Sequence, residues 1–218
     1  MPTREVFHGE LRLLEDDLLR LADLVGGAIE QSVRALVDRD SDLAEAVRAN
    51  DERINDLYAR IERESLELIA RQQPMAGDLR EIMAVFAIAT DLERMGDHAK
   101  GIAAIALRIM DEPEVAVKEI PRMAELVREI LAGELDAFVR RDDSFARAVA
   151  SRDDEVDALY DQAYRRLIRL MTEDPQAVER ASRMLWVAKS LERTGDHATN
   201  IGERIVFLTT GDVVELNH

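Results

Sequence analysis

The sequence predicts an all-α protein made of two homologous antiparallel three-helix bundles, the outcome of an internal duplication. Three observations predict it. The chain repeats itself: VDRDSDLAEAV from Val37 returns as VRRDDSFARAV from Val139, and DERINDLY from Asp51 returns as DDEVDALY from Asp153. Apolar residues recur every three and four positions, the period of a helix with one buried face. Strand signals are essentially missing, and a composition of 47% hydrophobic and 34% charged residues with only 10 Gly and 5 Pro in 218 residues is that of a helix-rich globular chain. A chain this long can bury a core without staples.

The elements follow in order. Leu11, Leu14, Leu18, Leu21 and Val25 form the stripe of a first helix, which ends at RDSD near Ser41. Leu43, Val47, Ile54, Leu57, Ile61 and Leu68 mark a second, closed by QPMAGD around Pro74. Ile82, Val85, Ile88, Leu92, Ile102, Ile105 and Ile109 mark a third, closed by DEPE at Pro113. The second copy supplies a fourth helix up to RDDS near Asp143, a fifth up to Asp174–Pro175, and a sixth beyond it, with Asp able to cap and Pro suited to a first turn. The opening motif repeats at a spacing of 99 residues where the other matches repeat at 102, so the second copy is three residues shorter, at the turn around Pro175. Loops absorb such deletions. The expected repeats are residues 1–112 and 113–218.

Charge narrows the partners. Lys plus Arg number 29 against 45 Asp plus Glu, a formal charge of −16, which opposes nucleic-acid binding and favours cations or basic protein loops. The absence of Cys removes disulfides, thiolate metal sites and Cys nucleophiles. The start of the chain lacks the apolar core of a signal peptide, and the longest uncharged apolar run, Met83 to Thr90, is too short to insert into a membrane. A cytoplasmic protein is expected.

The chemistry sits in a motif written twice, DLERMGDHAKGIA from Asp91 and SLERTGDHATNIG from Ser190. On an ideal helix Glu192, Asp196, Asn200 and Glu203 fall at about 0°, 40°, 80° and 20°, one oxygen-bearing stripe opposite Val187, Leu191, Ile201 and Ile205. The first copy keeps Glu93 and Asp97 but has Gly101 and Ala104 in place of the last two. Carboxylates one turn apart repel. Each half offers a second oxygen pair at the border of its preceding helix, Asp51 with Asn55 and Asp153 with Asp157. If these borders face each other, each half gathers hard oxygen ligands suited to Mg²⁺, Mn²⁺, Ca²⁺ or iron. The competing reading is a solvated face with Arg94 and Arg193 as partners. Gly96 and Gly195 inside the helix point to a close approach, by a ligand or by a neighbouring helix. His98 and His197 either ligate a second ion or pair with an acid across a helix contact.

These residues carry a resemblance. RQQPMAGDLR from Arg71 to Arg80, followed by LERMGDHAKGI and later LERTGDHATNIGERI, resembles the PhoU family of phosphate-uptake regulators along essentially the whole chain. The resemblance implies two three-helix bundles whose acidic motifs hold metal ions, with candidate ligands Asp51, Glu93 and Asp97 in the first half and Asp153, Asp157, Glu192, Asp196, Asn200 and Glu203 in the second. The ion is left open among Mg, Mn, Fe, Zn and Ca. It also implies a non-enzymatic negative regulator of the phosphate-starvation response, linking the ATP-binding subunit of the phosphate ABC transporter to its sensor histidine kinase, and commonly a homodimer. The turn from Arg71 to Arg80 is either a contact surface or simply the start of the third helix.

Two other classes compete. A di-iron carboxylate oxidase or iron store uses Glu-x-x-His pairs on facing helices; here Glu and His of the motif stand five apart, and Glu-x-x-His occurs only outside it, at Glu5 to His8 and Glu215 to His218. A metal-free helical scaffold with solvated acidic stripes is the other. Neither a nucleophile–base arrangement nor a Gly-rich phosphate loop is present to indicate an enzyme.

Overall fold

Helix ends follow from capping chemistry that the chain uses twice. The computed structural model describes residues 4–113 and 115–217; residues 1–3 and 218, at the ends of the expected repeats, and Glu114 in the DEPE break lie outside the described residues. Helix α1 spans Arg4–Asp38 and α2 spans Ser41–Gln72. Between them Arg39 takes a left-handed conformation (φ 54°) and Asp40 accepts the Leu43 N–H at 2.9 Å. Helices α4 (Glu119–Arg140) and α5 (Asp143–Ala150) meet in the same turn, with Arg141 at φ 57° and Asp142 accepting the Phe145 N–H at 3.0 Å. Such an Asp cap contributes about 1 kcal/mol, enough to offset the left-handed residue before it.

The other turns differ between copies. Helix α3 (Gly77–Arg108) follows α2 after a four-residue turn in which Gln73 and Ala76 both have positive φ. In the second copy α6 (Asp153–Glu173) passes to α7 (Val178–Thr210) through a short 3₁₀ turn at Pro175–Ala177, started by Asp174, whose carboxylate accepts the Gln176 N–H. The three-residue deletion lies here.

The fifth rod is broken where its counterpart α2 runs on. At Ser151–Arg152 the backbone tightens: the Arg152 N–H reaches the Val149 carbonyl at 3.0 Å, three residues back, and the Ser151 hydroxyl donates to the Ala148 carbonyl. Asp153, Asp154 and Glu155 then open α6, where the positive end of the helix dipole favours them. Six rods therefore contain seven α-helices among the described residues.

Within the first repeat α1, α2 and α3 pack on one another, and within the second α4 to α7 do; α3 also packs along α7, and α1 along α4. The buried side chains form one continuous core, with Leu14, Leu18 and Leu21 on α1, Ile88, Leu92 and Met95 on α3, and Leu191, Ile201 and Ile205 on α7. Among the described residues no strand occurs and no helix is long and apolar enough to cross a membrane. Gly101 serves the α3–α7 seam: a Cβ there would lie 2.4 Å from Cη2 of Trp186.

Of the buried acids among the described residues, Glu134 is the most deeply enclosed. Glu134 on α4 is fully buried, and neither carboxyl oxygen has a hydrogen-bond partner among the described residues. Gly202 on α7 makes room for it, since a Cβ there would sit 2.9 Å from Oε1. The corresponding residues of the first repeat are Ser32 and Ala103, a hydroxyl in place of the acid and a methyl in place of the glycine. Burial raises the Glu134 pKa to about 9, so the folded protein holds it protonated at neutral pH. Unfolded, the same group ionises near its ordinary value of 4.5. Its contribution to stability is thus complete below pH 4.5 and is lost as the pH rises towards 9. Glu134→Gln should gain on the wild type by up to about 1.4 kcal/mol per pH unit across that window, measured as urea midpoints at several pH values. A difference independent of pH would show that this carboxyl is not held neutral.

Candidate metal centre

The acidic motifs lie where α3 and α7 each meet the second helix of their own repeat. Gly96 and Gly195 allow that approach. A Cβ on Gly96 would be 3.1 Å from Ile54 Cγ2, and one on Gly195 would be 2.4 Å from Asp153 Oδ1 and 3.5 Å from Val156 Cγ1. Both glycines therefore answer to a neighbouring helix, and in the second repeat the carboxylate itself leans on the glycine.

In the second repeat Asp153 and Asp157 of α6 face Glu192 and Asp196 of α7. Burial and the charges of Asp157, Asp196 and Glu192 raise the Asp153 pKa to about 7. Asp157 and Asp196 are raised by burial too, then by Glu192, with Lys189 countering. Lys189 pairs with Glu192 one turn away on the same helix. Asp153 Oδ1 and Glu192 Oε2 are buried without hydrogen-bond partners among the described residues. A cavity of about 230 Å³ adjoins the cluster, lined by Asp153, Asp157 and Asp196, by Arg147, and by Glu215, Leu216 and Asn217 from the end of the chain.

The first repeat is arranged differently. Asp51 is buried on α2, accepts from Asn55 Nδ2 at 3.0 Å, and is bridged by Lys100 Nζ from α3 at 2.5 Å. That hydrogen bond, with the charges of Asp51 and Asp97, raises the Lys100 pKa. Burial, then Asp97 and Asp51, raises Glu93. Neither Arg94 nor Arg193 bridges a carboxylate among the described residues; Lys100 and Lys189 do.

Two residues of the expected stripe have other partners. Asn200 donates from Nδ2 to Asp91 Oδ1 at 3.1 Å across the α3–α7 seam, and its Oδ1 accepts from Asn217 at 3.3 Å. Glu203 accepts the Leu216 N–H at 2.9 Å. Asn200, about 80° round the helix from Glu192, falls towards the α3 seam, whereas Glu203 shares the direction of Glu192 and Asp196 but lies about three turns further along α7, where the segment after Gly211 takes it. The seam also takes the histidines. His197 Nδ1 lies 2.9 Å from Asp91 Oδ1, and its ring stacks on His98 with centroids 5.9 Å apart. Burial, then the charges of His197 and Arg193, lowers the His98 pKa to about 4.

Lys100, Lys189 and the segment after α7 were not read from the sequence as part of the site. Gly211, left-handed at φ 84°, ends α7 and turns the chain back along it, bringing Glu215 and Asn217 to the cavity. Helical periodicity carries no signal for such a strap; the positions of the lysines beside the motifs did.

The donor set of the second repeat fits a hard divalent ion: carboxylates only, in partial burial, with orphaned oxygens. As the side chains stand, no group of three or more His, Asp or Glu converges to ligand distance among the described residues, so binding requires carboxylates to swing inward. The first repeat does not fit, because an ammonium already lies against Asp51.

Two three-helix repeats with carboxylates facing each other across helix pairs define a class of duplicated acidic helical proteins. Comparison with known proteins fixes which. The PhoU domain matches residues 18–106 and again 120–205. A phosphate-specific transport system accessory protein PhoU homolog of Clostridium acetobutylicum is 40% identical over 217 residues, 99% of each chain, and a homolog of Caulobacter vibrioides is 42% identical over 93% of this chain and 89% of its own. The crystal structure of PhoU from Pseudomonas aeruginosa superposes with a TM-score of 0.91 at 38% identity, covering 94% of this chain and all of that one. The phosphate transport system regulatory protein PhoU from Streptococcus pneumoniae gives 0.90 at 33%, covering 96% and 99%. The chain belongs to the PhoU family, a family of non-enzymatic accessory and regulatory proteins of phosphate transport.

Glycine replacement tests the close approach. Gly27→Ala, with nothing within 4 Å of the new Cβ, should stabilise the protein by up to about 1 kcal/mol. Gly195→Ala should forfeit that gain and release Asp153, whose carboxyl pKa, followed by NMR, should fall from about 7 towards ordinary values. An unchanged Asp153 titration in Gly195→Ala would contradict the packing described.

Proposed function

We propose that the protein is a negative regulator of phosphate uptake and of the phosphate-starvation response. It works in the cytoplasm, as a homodimer, as a metal-binding adaptor between the ATP-binding subunit of the phosphate ABC transporter and the sensor histidine kinase. The observation that carries the reading is likeness over 99% of both chains to an accessory protein of a phosphate-specific transport system. A formal charge of −16 suits contact with basic loops of cytoplasmic partners. The α2–α3 turn supports a contact surface at the end of the first bundle: Met75 is 79% exposed, with Leu79 and Met83 exposed four residues apart beyond it. The units of this adaptor are the repeats 1–112 and 113–218.

Asp153, Asp157, Glu192 and Asp196 are the proposed ligands; Asp51, Glu93 and Asp97 are a poorer set, open to an ion only if Lys100 leaves Asp51. Asn200 and Glu203 would join only by leaving Asp91 and Leu216. An ion supplies charge that cancels carboxylate repulsion and ties α6 to α7. All-oxygen donors favour Mg²⁺, Mn²⁺, Ca²⁺ or ferrous iron over Zn²⁺. The di-iron oxidase reading gains no support, since His197 is engaged by Asp91 and His98 by His197.

Elemental analysis of purified protein should find bound divalent metal in the wild type and a loss of most of it in Glu192→Ala/Asp196→Ala; equal content in the two would remove these ligands. In the host, deletion should leave phosphate-responsive genes on in phosphate-rich medium, and restoring the wild type should switch them off. Normal repression in the deletion strain would refute the regulatory role.

A further inference from the structure

The two repeats differ in where their lysines stand. In the first, Lys100 reaches from α3 to α2 and lies 2.5 Å from Oδ2 of Asp51, whose side chain is 5% exposed. Asn55 donates to the same oxygen, so two donors from two helices converge on one buried carboxylate. In the second repeat Thr199 replaces Lys100, and Asp157 replaces Asn55. Lys189 has a different task there: it belongs to α7 itself, pairs along that helix with Glu192, and lies 5.2 Å from the centre of the Tyr160 ring. Asp153, the counterpart of Asp51, has no cation within ion-pair distance among the described residues, and neither has Asp157 or Asp196.

We propose that Lys100 is a built-in cation that takes the place of a divalent ion in the first repeat, so that the chain takes up metal at only one of its two pseudo-equivalent acidic sites. The proposal rests on the metal reading given above and adds its asymmetry. An ammonium on the same chain is always present at high local concentration, and a divalent ion entering the first repeat must break its contact with a buried carboxylate. The first bundle is thus closed by its own side chain whatever the ion supply. The second responds to it. Metal availability therefore reaches this protein through α6, α7 and the strap that ends at Asn217, not through both bundles.

The test exchanges the two distinguishing residues in the full chain. Mn²⁺ binding is measured by equilibrium dialysis, and by the thermal midpoint with and without Mn²⁺, in four forms: wild type, Lys100→Thr/Asn55→Asp, Glu192→Ala/Asp196→Ala, and all four changes together. Lys100→Thr/Asn55→Asp should take up additional Mn²⁺, bound at least tenfold more tightly than any first-repeat binding in the wild type, and this gain should persist when Glu192 and Asp196 are Ala. Its midpoint should be lower than the wild type's without Mn²⁺ and recover on addition. Lys100→Met, which keeps the stem and removes the charge, is the second variant should the double change fold poorly, and it should show the same direction. No gain of Mn²⁺ in folded Lys100→Thr/Asn55→Asp or Lys100→Met overturns the proposal. So does wild-type Mn²⁺ that survives Glu192→Ala/Asp196→Ala and disappears with Asp51→Asn. A wild type that binds no Mn²⁺, beside a Lys100 variant that does, would defeat the metal reading of the second repeat while upholding the role of Lys100.

Discussion

The packing of α3 along α7 governs everything else. Each of these helices is the third rod of its own bundle and also one side of the seam between bundles, so each must be apolar towards two neighbours at once. Little of its circumference remains for polar side chains. What remains is divided by geometry: Glu93, Asp97, Glu192 and Asp196 turn towards the second rod, while His98, His197, Gly101 and Asn200 are taken by the seam. An acid at the seam must find a partner there, as Asp91 does with His197 and Asn200. An acid at the rod-facing border can remain unsatisfied in exchange for a cation.

Much of the fold was legible because the duplication made the chain its own comparison. RDSD and RDDS read as breaks and became the same turn, an Asp cap behind a left-handed Arg. The deletion between repeats fell in the shortened turn at Pro175. The break at Ser151 was not legible, since it depends on whether one N–H bonds three or four residues back, a choice that apolar spacing does not record. Glu192 and Asp196 could be placed from the helical wheel, but Asn200 could not, because a wheel gives direction and not which neighbour stands there. Lys100 was not read from the sequence, since a lysine beside an acidic motif carries no sign of its partner. Only the position of α2 makes it Asp51's partner.

Divergence between the repeats is concentrated at such contacts. Glu134 and Gly202 stand where the first repeat has Ser32 and Ala103. Gly101 admits Trp186, whose counterpart in the first repeat is Ala87. The first repeat has drifted towards self-sufficiency, the second towards exposed acidity next to a cavity.

The stacked His98 and His197 are equivalent residues meeting each other, and that carries a history. A surface on which position i touches its own counterpart is the signature of twofold self-association. Because both faces belong to one chain, one side can change without the other: Asp91 meets His197 and Asn200, while Ser190 stands at its counterpart position.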